Sequence, residues 1–572
     1  MTQTDKLWLR HYPPQVPATL NYPDVPITQF LIDATNDYPE REALVFFGKS
    51  MTFRQLLRDV TRFAQALKKL GVRQGERVGI MLPNTPQAVI AYYAALFVGA
   101  IVVQINPLYM RKELLHQLSD SGAETIVCLD LVWPKVQEIK EETHLKRIIV
   151  TRLSDYLPFP KSWFYSLKMK LDGQYTGIRY DSQTRSFLSL MRSTPSEPVK
   201  PTCQSTEDVA LLQYTGGTTG LAKGAMLTHR NLVANCMQAE AWLYRANREQ
   251  HHSFLGVLPF FHVYGMTVVM NLAMRMAGRI ILVPRFDLDL ILKLIDKYKP
   301  SFFPGSPTMY VGLINHPQIS RYDLSSIEAC LSGSAPLPLE VQEKFEEITG
   351  GLLVEGYGMT ETSPVTHSNL LWERKKNGTI GIPWPDTDAR IVDIETGEVL
   401  PPGKEGELQV KGPQVMKGYW QRPQETEKVL KDGWMSTGDI AMMDEDGYFY
   451  ILDRKKDMII AGGYNIYPRE VEDILYEHEA IQEAAVIGIR DDYRGETVKA
   501  YVVLKKGKFV TKEELDNFCR SRLAKYKVPR IYEFCTELPK SAVGKVLRRV
   551  LAEKEKQKND PTEYKPDTEK GI

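Results

Sequence analysis

The sequence predicts an α/β fold: a large N-terminal domain of two related α/β sheet subdomains plus a small β subdomain, followed by a small α+β C-terminal domain. Three observations carry this expectation. Segments with strand character alternate with segments of helical period, as in parallel sheets joined by crossover helices. Beyond about residue 385 the texture changes to short strands separated by turn pairs. At 572 residues the chain is longer than the roughly 250–300 residues over which one core can grow.

From residue 55 to 71, Leu56, Val60, Phe63, Leu67 and Leu70 step by four and three, so they share one helical face, and Gly71 suits a left-handed C-terminal cap. Residues 77–82 read as a strand, the helical pattern runs on through Ala95, and residues 100–104 read as the next strand. Thr228 can cap a helix with Leu232, Cys236, Ala239 and Leu243 inward, and strands recur at 279–283 and 352–355. Turn pairs at Thr396-Gly397, Pro402-Gly403, Asp432-Gly433 and Asp446-Gly447 then mark the β subdomain. The C-terminal domain reads as a helix from Arg469, strands at 484–489 and 498–504, a helix opened by the reciprocal cap Thr511 and Glu514, and a strand at 531–536. The charged run Asp-Arg-Lys-Lys-Asp at 453–457 suits an exposed linker, so the expected division is 1–452, a hinge at 453–457, and 458–552. The charged tail, 553–572, is expected to be disordered.

A net charge of +1, from 72 basic and 71 acidic residues, removes the general electrostatic case for nucleic acid as a partner. Six cysteines without a Cys-x-x-Cys pair fit reduced thiols in a cytoplasmic protein rather than disulfides or zinc. The first residues lack the apolar core of a signal peptide, so export by that route is not expected. The apolar run 88–103 is short of the roughly 20 residues of a spanning helix, and it reads as buried core. Residues 158–185 mix aromatics with Lys161, Lys168, Lys170 and Arg179. Two readings fit them: a solvated insertion, or peripheral contact with the inner face of a membrane.

Residues 213–224 read Gln-Tyr-Thr-Gly-Gly-Thr-Thr-Gly-Leu-Ala-Lys-Gly. Gly216, Gly217 and Gly220 let successive N–H groups converge on anionic oxygen, Thr215, Thr218 and Thr219 add hydroxyls, and Lys223 adds a cation. The run departs from the common nucleotide loop, because Ala222 precedes the lysine and Gly224 follows it. It is a phosphate loop of another kind; a plain glycine hinge has no use for three threonines and a lysine.

Four further segments add to it. Gly-Tyr-Gly-Met-Thr-Glu at 356–361 follows an apolar strand, so Tyr357 can stack on a purine, Thr360 can donate to a phosphate oxygen, and Glu361 can hold Mg²⁺; the alternative is ordinary turn chemistry. Ser-Thr-Gly-Asp at 436–439, with Arg454 after it, offers Asp439 to ribose hydroxyls or serves as a cap. Gly462 and Gly463 allow close approach of a narrow chain such as pantetheine, or form a turn. Pro-Lys-Ser-Ala-Val-Gly-Lys at 539–545 sets Lys545 on a glycine turn ahead of Arg548 and Arg549; alone it is a solvated basic patch.

In this order and spacing the segments resemble the adenylate-forming superfamily of acyl-CoA synthetases, luciferases and peptide-synthetase adenylation domains, over about residues 25–552. Residues 439–472 look most like bacterial long-chain fatty-acid CoA ligases. The departures are Ala222, where the family often has Pro, and Val543, where it has Thr or Ser; neither position carries an essential charge. The resemblance implies an enzyme with ATP, Mg²⁺ and CoA, which joins a fatty acid to AMP and then to CoA. It implies that Lys545 bridges carboxylate and α-phosphate, that Glu361 with Thr215 holds Mg²⁺, and that the loop from Thr215 to Lys223 closes over the outer phosphates. Gly333, Ser334, Ala335 and Tyr357 would frame adenine, and Asp439 and Arg454 the ribose. A mobile C-terminal domain would turn at Lys456 and bring Gly463 to the pantetheine. His262 falls where family members place a residue near the carboxylate or at a tunnel gate, and it reads equally as a core histidine. The methionine-rich residues 255–276 and 302–313 read as an acyl tunnel or as helix core. Chain length and homodimer formation stay open. Rival readings are an aryl-CoA ligase of the 4-coumarate type, an acyl-AMP ligase loading a carrier protein, and a non-catalytic fatty-acid or adenylate-binding protein; Lys545, Glu361 and Thr215 together argue against the last.

Overall fold

Strands Arg77–Met81, Ile101–Gln104, Thr125–Leu129, Arg147–Thr151 and Thr184–Ser186 pair in parallel, as the alternating pattern predicts. The computed structural model of the chain describes residues 6–173, 177–195, 200–202, 205–215, 222–373, 375–461, 464–491, 494–541 and 544–559. By its contacts the chain falls into two units. The first comprises the residues up to Ala389 with Gln409–Ser436 and Asp446–Tyr448; the second comprises Arg390–Leu408, Thr437–Glu445 and the chain from Phe449 onward.

In the first unit an eight-stranded sheet runs in the order Gly418–Tyr419, Lys223–Thr228, Val209–Thr215, Ile101–Gln104, Arg77–Met81, Thr125–Leu129, Arg147–Thr151, Thr184–Ser186. The crossover helix Pro86–Phe97 is buried on every side, which explains why its sequence is apolar rather than amphipathic. Helix Phe53–Lys69 starts at a reciprocal cap between Thr52 and Gln55 and ends before Gly71, which takes φ +84° as expected of a left-handed closing residue. Thr228 caps His229–Trp242 in the same reciprocal way with Asn231. Leu232, Cys236 and Ala239 are buried, whereas Leu243 is the half-buried residue that ends the helix.

A second set of strands, Ser253–Gly256, Arg279–Leu282 and Glu42–Phe46, is also parallel. Phe302 bridges Phe254 on one side and Ala329 on the other, joining these strands to the parallel pair Ala329–Ser332 and Leu352–Gly358. The strand expected at 352–355 runs on to Gly358 because Val365–Ser368 returns antiparallel beside it, pairing Tyr357 with His367. That partner lies outside the local pattern from which strands are read.

In the second unit Phe449–Arg454 lies antiparallel to residues 439–443, with Asp439 opposite Arg454. A further sheet runs Tyr464–Ile466, Ile459–Ala461, Gly495–Leu504, Ile481–Asp491, with Ile531–Phe534 parallel to Gly495–Leu504. Strand alternation gives it two apolar faces. Ala484, Val486, Val498 and Val502 pack with Val471, Leu475 and Leu515 from helices Pro468–Tyr476 and Lys512–Arg520, while Ala485, Ile487, Tyr501 and Val503 pack with Leu551. Two expectations are corrected here. Residues 453–457 are not uniformly an exposed linker, because Asp453 is buried and accepts from the backbone N–H groups of Arg454 (2.6 Å) and Arg469 (2.7 Å). The part of the charged tail up to Asn559 is helical, in Arg548–Asn559, because Leu551 is buried and Glu555 accepts from Lys499 (2.9 Å) and the Tyr501 hydroxyl (2.8 Å).

Among the described residues Cys128, Cys236, Cys330, Cys519 and Cys535 are free thiols, and no helix is long and apolar enough to cross a membrane.

One buried side chain ties the two sheet systems of the first unit. Asn84, just after Arg77–Met81, donates to the carbonyls of Gly256 (2.9 Å) and Leu258 (2.8 Å) and accepts from the N–H of Phe260 (2.8 Å). It thereby fixes the loop that leads to His262. Gly265, where residues 263–275 become helical, leaves no room for a side chain, since a Cβ would lie 2.5 Å from the carbonyl of Pro259. Replacing Asn84 by Ala strands three buried backbone groups and should lower stability by roughly 2–4 kcal/mol. Urea unfolding checks this, and a change below about 1 kcal/mol would show that the loop relaxes without the amide.

Candidate active site

The strands that flank the Gly/Thr-rich segment pair in the large sheet: Val209–Thr215 lies antiparallel to Lys223–Thr228, with Thr215 opposite Lys223. Gly216, Gly217, Thr218, Thr219 and Gly220 lie outside the described residues. The hairpin's end is braced from several directions. Tyr214 donates to Asp120 Oδ2 (2.7 Å), whose other oxygen pairs with Arg422 (2.6 Å), and His116 Nε2 meets the carbonyl of Ala222 at 2.8 Å. A Cβ on Gly224 would stand 3.2 Å from the Tyr214 ring, so this glycine lets the ring lie across the hairpin. Gln213 donates to the carbonyl of Phe261 (2.9 Å), tying the hairpin to the residue before His262.

Lys223 is engaged rather than solvated. Its ammonium lies 2.6 Å from Glu425 Oε2 and 5.2 Å from the centre of the Tyr419 ring. The hydrogen bonds of Lys223 and Lys428 hold the Glu425 carboxyl down at about 2. Tyr419, on the short strand at the sheet edge, donates its hydroxyl to Glu361 Oε1 (2.7 Å). Burial, with the adjacent carboxylate, raises the phenol well above its ordinary value, so it remains a donor to Glu361. Glu361 is buried in the 3₁₀ turn Thr360–Thr362, which packs on both hairpin strands, and its carbonyl accepts from the N–H of Met416 (2.7 Å).

Thr360 and Tyr357 are half-buried around the end of Leu352–Gly358. The neighbouring strand ends at Ser332, opposite Glu355, so Gly333, Ser334 and Ala335 leave the sheet at the same carboxyl edge as Tyr357. This is the edge where open parallel sheets take ligands. A Cβ on Gly333 would lie 3.1 Å from the Tyr264 ring, and Ser334 takes φ +73°. Behind Tyr357, its ring partner His367 is fully buried, and loss of water pushes the imidazole down to about 3, leaving it neutral. His262 is half-buried and caps the following helix, its Nδ1 accepting from the N–H of Tyr264 at 3.3 Å. Residues 255–276 and 302–313 are mainly buried.

In the second unit, Arg454 Nε lies 3.0 Å from Asp439 Oδ1. Lys545 belongs to the same charge cluster. It retains exposed surface, but protein crowded round the ammonium removes water and pushes it down to about 8; repulsion from Arg454, Arg548 and Lys456 adds to this, and Asp439 opposes it. The turn carrying it is closed by the Ser541 N–H donating to the Lys545 carbonyl (2.8 Å), with Gly544 at φ +81°. Arg548 anchors the turn from behind, pairing with Glu472 (2.5 Å), Asp453 (3.3 Å) and Asp457 (3.4 Å). Gly462 and Gly463 lie outside the described residues, between strands that meet at Ala461 and Tyr464.

Tyr419, Glu425 and the acidic partners of Arg548 are not singled out by the sequence, because each gains its role only through a contact made by the fold. Among the described residues no group of three His, Cys, Asp or Glu could hold a metal. A single buried carboxylate is, however, a donor that suits a Mg²⁺ keeping most of its ligands from phosphate and water. Glu361 and the Thr215 hydroxyl fit that chemistry.

A family model described as AMP-binding enzyme matches residues 31–420, and one described as AMP-binding enzyme C-terminal domain matches residues 470–545. A long-chain-fatty-acid–CoA ligase of Bacillus subtilis is 53% identical over 97% of this chain and 99% of its own. One of Salmonella typhimurium is 41% identical over 97% and 99%. Among solved structures, the anthranilate CoA ligase AuaEII in complex with anthranoyl-AMP is similar with a TM-score of 0.83 at 28% identity, covering 94% of this chain and 99% of that one. Both parts of the chain thus match their counterparts in the expected order, and the protein belongs to the AMP-binding enzyme family.

Proposed function

We propose that the protein is a long-chain fatty-acid–CoA ligase that works in two half-reactions on MgATP, a fatty acid and CoA. In the first, a carboxylate oxygen attacks the α-phosphorus, the bond to the β-phosphate bridging oxygen breaks, and acyl-AMP and pyrophosphate result. In the second, the CoA sulfur attacks the acyl carbon, the acyl–phosphate bond breaks, AMP leaves, and the thiol proton passes to solvent. The observation that carries this reading is the gathering of Lys545 with the Asp439–Arg454 pair, in a chain 53% identical over nearly its whole length to a long-chain ligase.

Carboxylate and triphosphate repel each other, so the first step depends on charge neutralisation and alignment. Lys545 supplies the cation between them. Lys223 exchanges Glu425 for the outer phosphates, with Thr215 and the glycine loop donating to the same oxygens. Mg²⁺, when bound with the triphosphate, adds neutralising charge there, and Glu361 and Thr215 would hold it. Tyr419 fixes the Glu361 carboxylate, Thr360 donates to phosphate, Tyr357 and the Gly333, Ser334 and Ala335 backbone frame adenine, and Asp439 with Arg454 takes the ribose. His262 stands at the entrance of an acyl tunnel built from residues 255–276 and 302–313. For the second step the C-terminal domain, residues 458–552, turns about Lys456 and presents Gly462 and Gly463 to pantetheine.

Mass-spectrometric analysis of products from C6 to C18 acids and 4-coumarate tests the reading. Long-chain acyl-CoA with AMP and pyrophosphate is expected, and 4-coumaroyl-CoA as the main product would favour an aryl ligase. Lys545→Ala should slow adenylation by about 10²–10³-fold while acyl-CoA formation from supplied acyl-AMP is largely kept; equal losses would contradict the assignment. Because Lys545 loses its proton through about pH 8, kcat/KM for adenylation should fall as pH rises through that value. Lys545→Arg, charged throughout, should be slower overall and lack that limb, and a limb that persists in this variant belongs to another group. Lys456→Pro should impair thioester formation more than adenylation; equal loss in both would remove the hinge.

A further inference from the structure

The helix Lys161–Leu171 has its apolar side outward. None of its residues is buried. At about 100° per residue, Trp163, Leu167, Leu171 and Phe164 share one arc, and they are 57, 40, 78 and 59% exposed, with Phe159 just ahead at 86%. Lys170 borders one edge of this arc, and Lys168 and Lys161 border the other. The opposite arc, Ser162, Tyr165, Ser166 and Met169, is the half-buried one, where the helix packs on the turn Leu153–Tyr156. An insertion that is simply solvated would turn the serines outward and the tryptophan inward; this helix does the reverse.

Charge completes the pattern. No acidic residue occurs from Leu157 to Leu171, and Asp172 lies beyond the helix. Lys161 donates to the carbonyl of Phe47 (2.9 Å), so its ammonium is held at the border of the arc. An aromatic and aliphatic arc with lysines on both borders suits a bilayer surface, where the rings enter the boundary between headgroups and acyl chains and the ammonium groups reach back to lipid phosphates. We propose that Lys161–Leu171, with Phe159, docks the protein on anionic lipid membranes. The inference stands on this surface and not on the reaction, although a bilayer is also where a long-chain fatty acid is concentrated.

The test is co-sedimentation of the full-length protein with phosphatidylcholine vesicles made with and without phosphatidylglycerol, alongside Trp163→Ser/Phe164→Ser and Lys168→Glu/Lys170→Glu. Both pairs lie outside the proposed catalytic machinery, and an unchanged ligase rate on soluble octanoate certifies their folding. Should one pair lose that rate, the other decides. The wild type should bind the anionic vesicles more tightly than the neutral ones, and each variant should bind the anionic vesicles at least about tenfold more weakly. No binding by the wild type, equal binding to both vesicles, or unchanged binding in a folded variant overturns the proposal. A wild-type dimer that becomes monomeric in Trp163→Ser/Phe164→Ser, without lipid binding, overturns it in favour of a second copy of the chain as the occupant.

Discussion

The proposed nucleotide end of the first unit depends on one hairpin, in which Thr215 is held opposite Lys223. Seven residues join these two, and the paired strands fix where that segment leaves the sheet and where it returns. The strands are themselves built into the large sheet between Ile101–Gln104 and the edge strand Gly418–Tyr419. Because Tyr419 sits on that edge strand, the same pairing that aims the loop also brings a phenol to Glu361 and a ring beneath Lys223. Carboxylate and cation are therefore brought together by side chains that backbone pairing has already placed, which is how preorganised electrostatics is kept cheap.

In the proposed mechanism the second unit has a different task, that of presenting a lysine to two anions. Arg548 takes three carboxylates behind the turn, and around Lys545 the attraction of Asp439 is opposed by Arg454, Arg548 and Lys456. That arrangement makes the free ammonium weakly held as a cation and readily stabilised by an incoming polyanion. On the proposed mechanism the cost of its partial dehydration would be recovered when carboxylate and phosphate arrive. A lysine paired tightly with Glu or Asp would have to break that pair first, as the proposed mechanism asks of Lys223 and Glu425.

The elements most legible from the sequence were those set by neighbours a few residues away. The helix ending before Gly71, the caps at Thr228 and Thr511, and the alternation of strands and crossover helices follow from local spacing and turn chemistry. The Gly/Thr-rich run is read from local composition too, and its residues 216–221 lie outside the described residues. What local pattern could not show was reached through long separations: Tyr419 meets Glu361 across 58 positions, and Arg548 meets Asp453 across 95. Asp453 looked like part of an exposed charged linker because its burying partner is that distant arginine. Residues 553–559 looked too charged to fold because Glu555 finds Lys499 and Tyr501 only on a completed sheet. Polar residues read singly suggest solvent, and the fold decides which of them are paired.

The central claim is that a carboxylate oxygen of the fatty acid attacks the α-phosphorus of ATP and stays with AMP. Turning over palmitate carrying heavy oxygen in both carboxylate positions tests it most directly, with mass analysis of every phosphate product. One heavy oxygen is expected in AMP, one in the thioester carbonyl and none in pyrophosphate. Heavy oxygen in inorganic phosphate, with ADP as the nucleotide product, would contradict it.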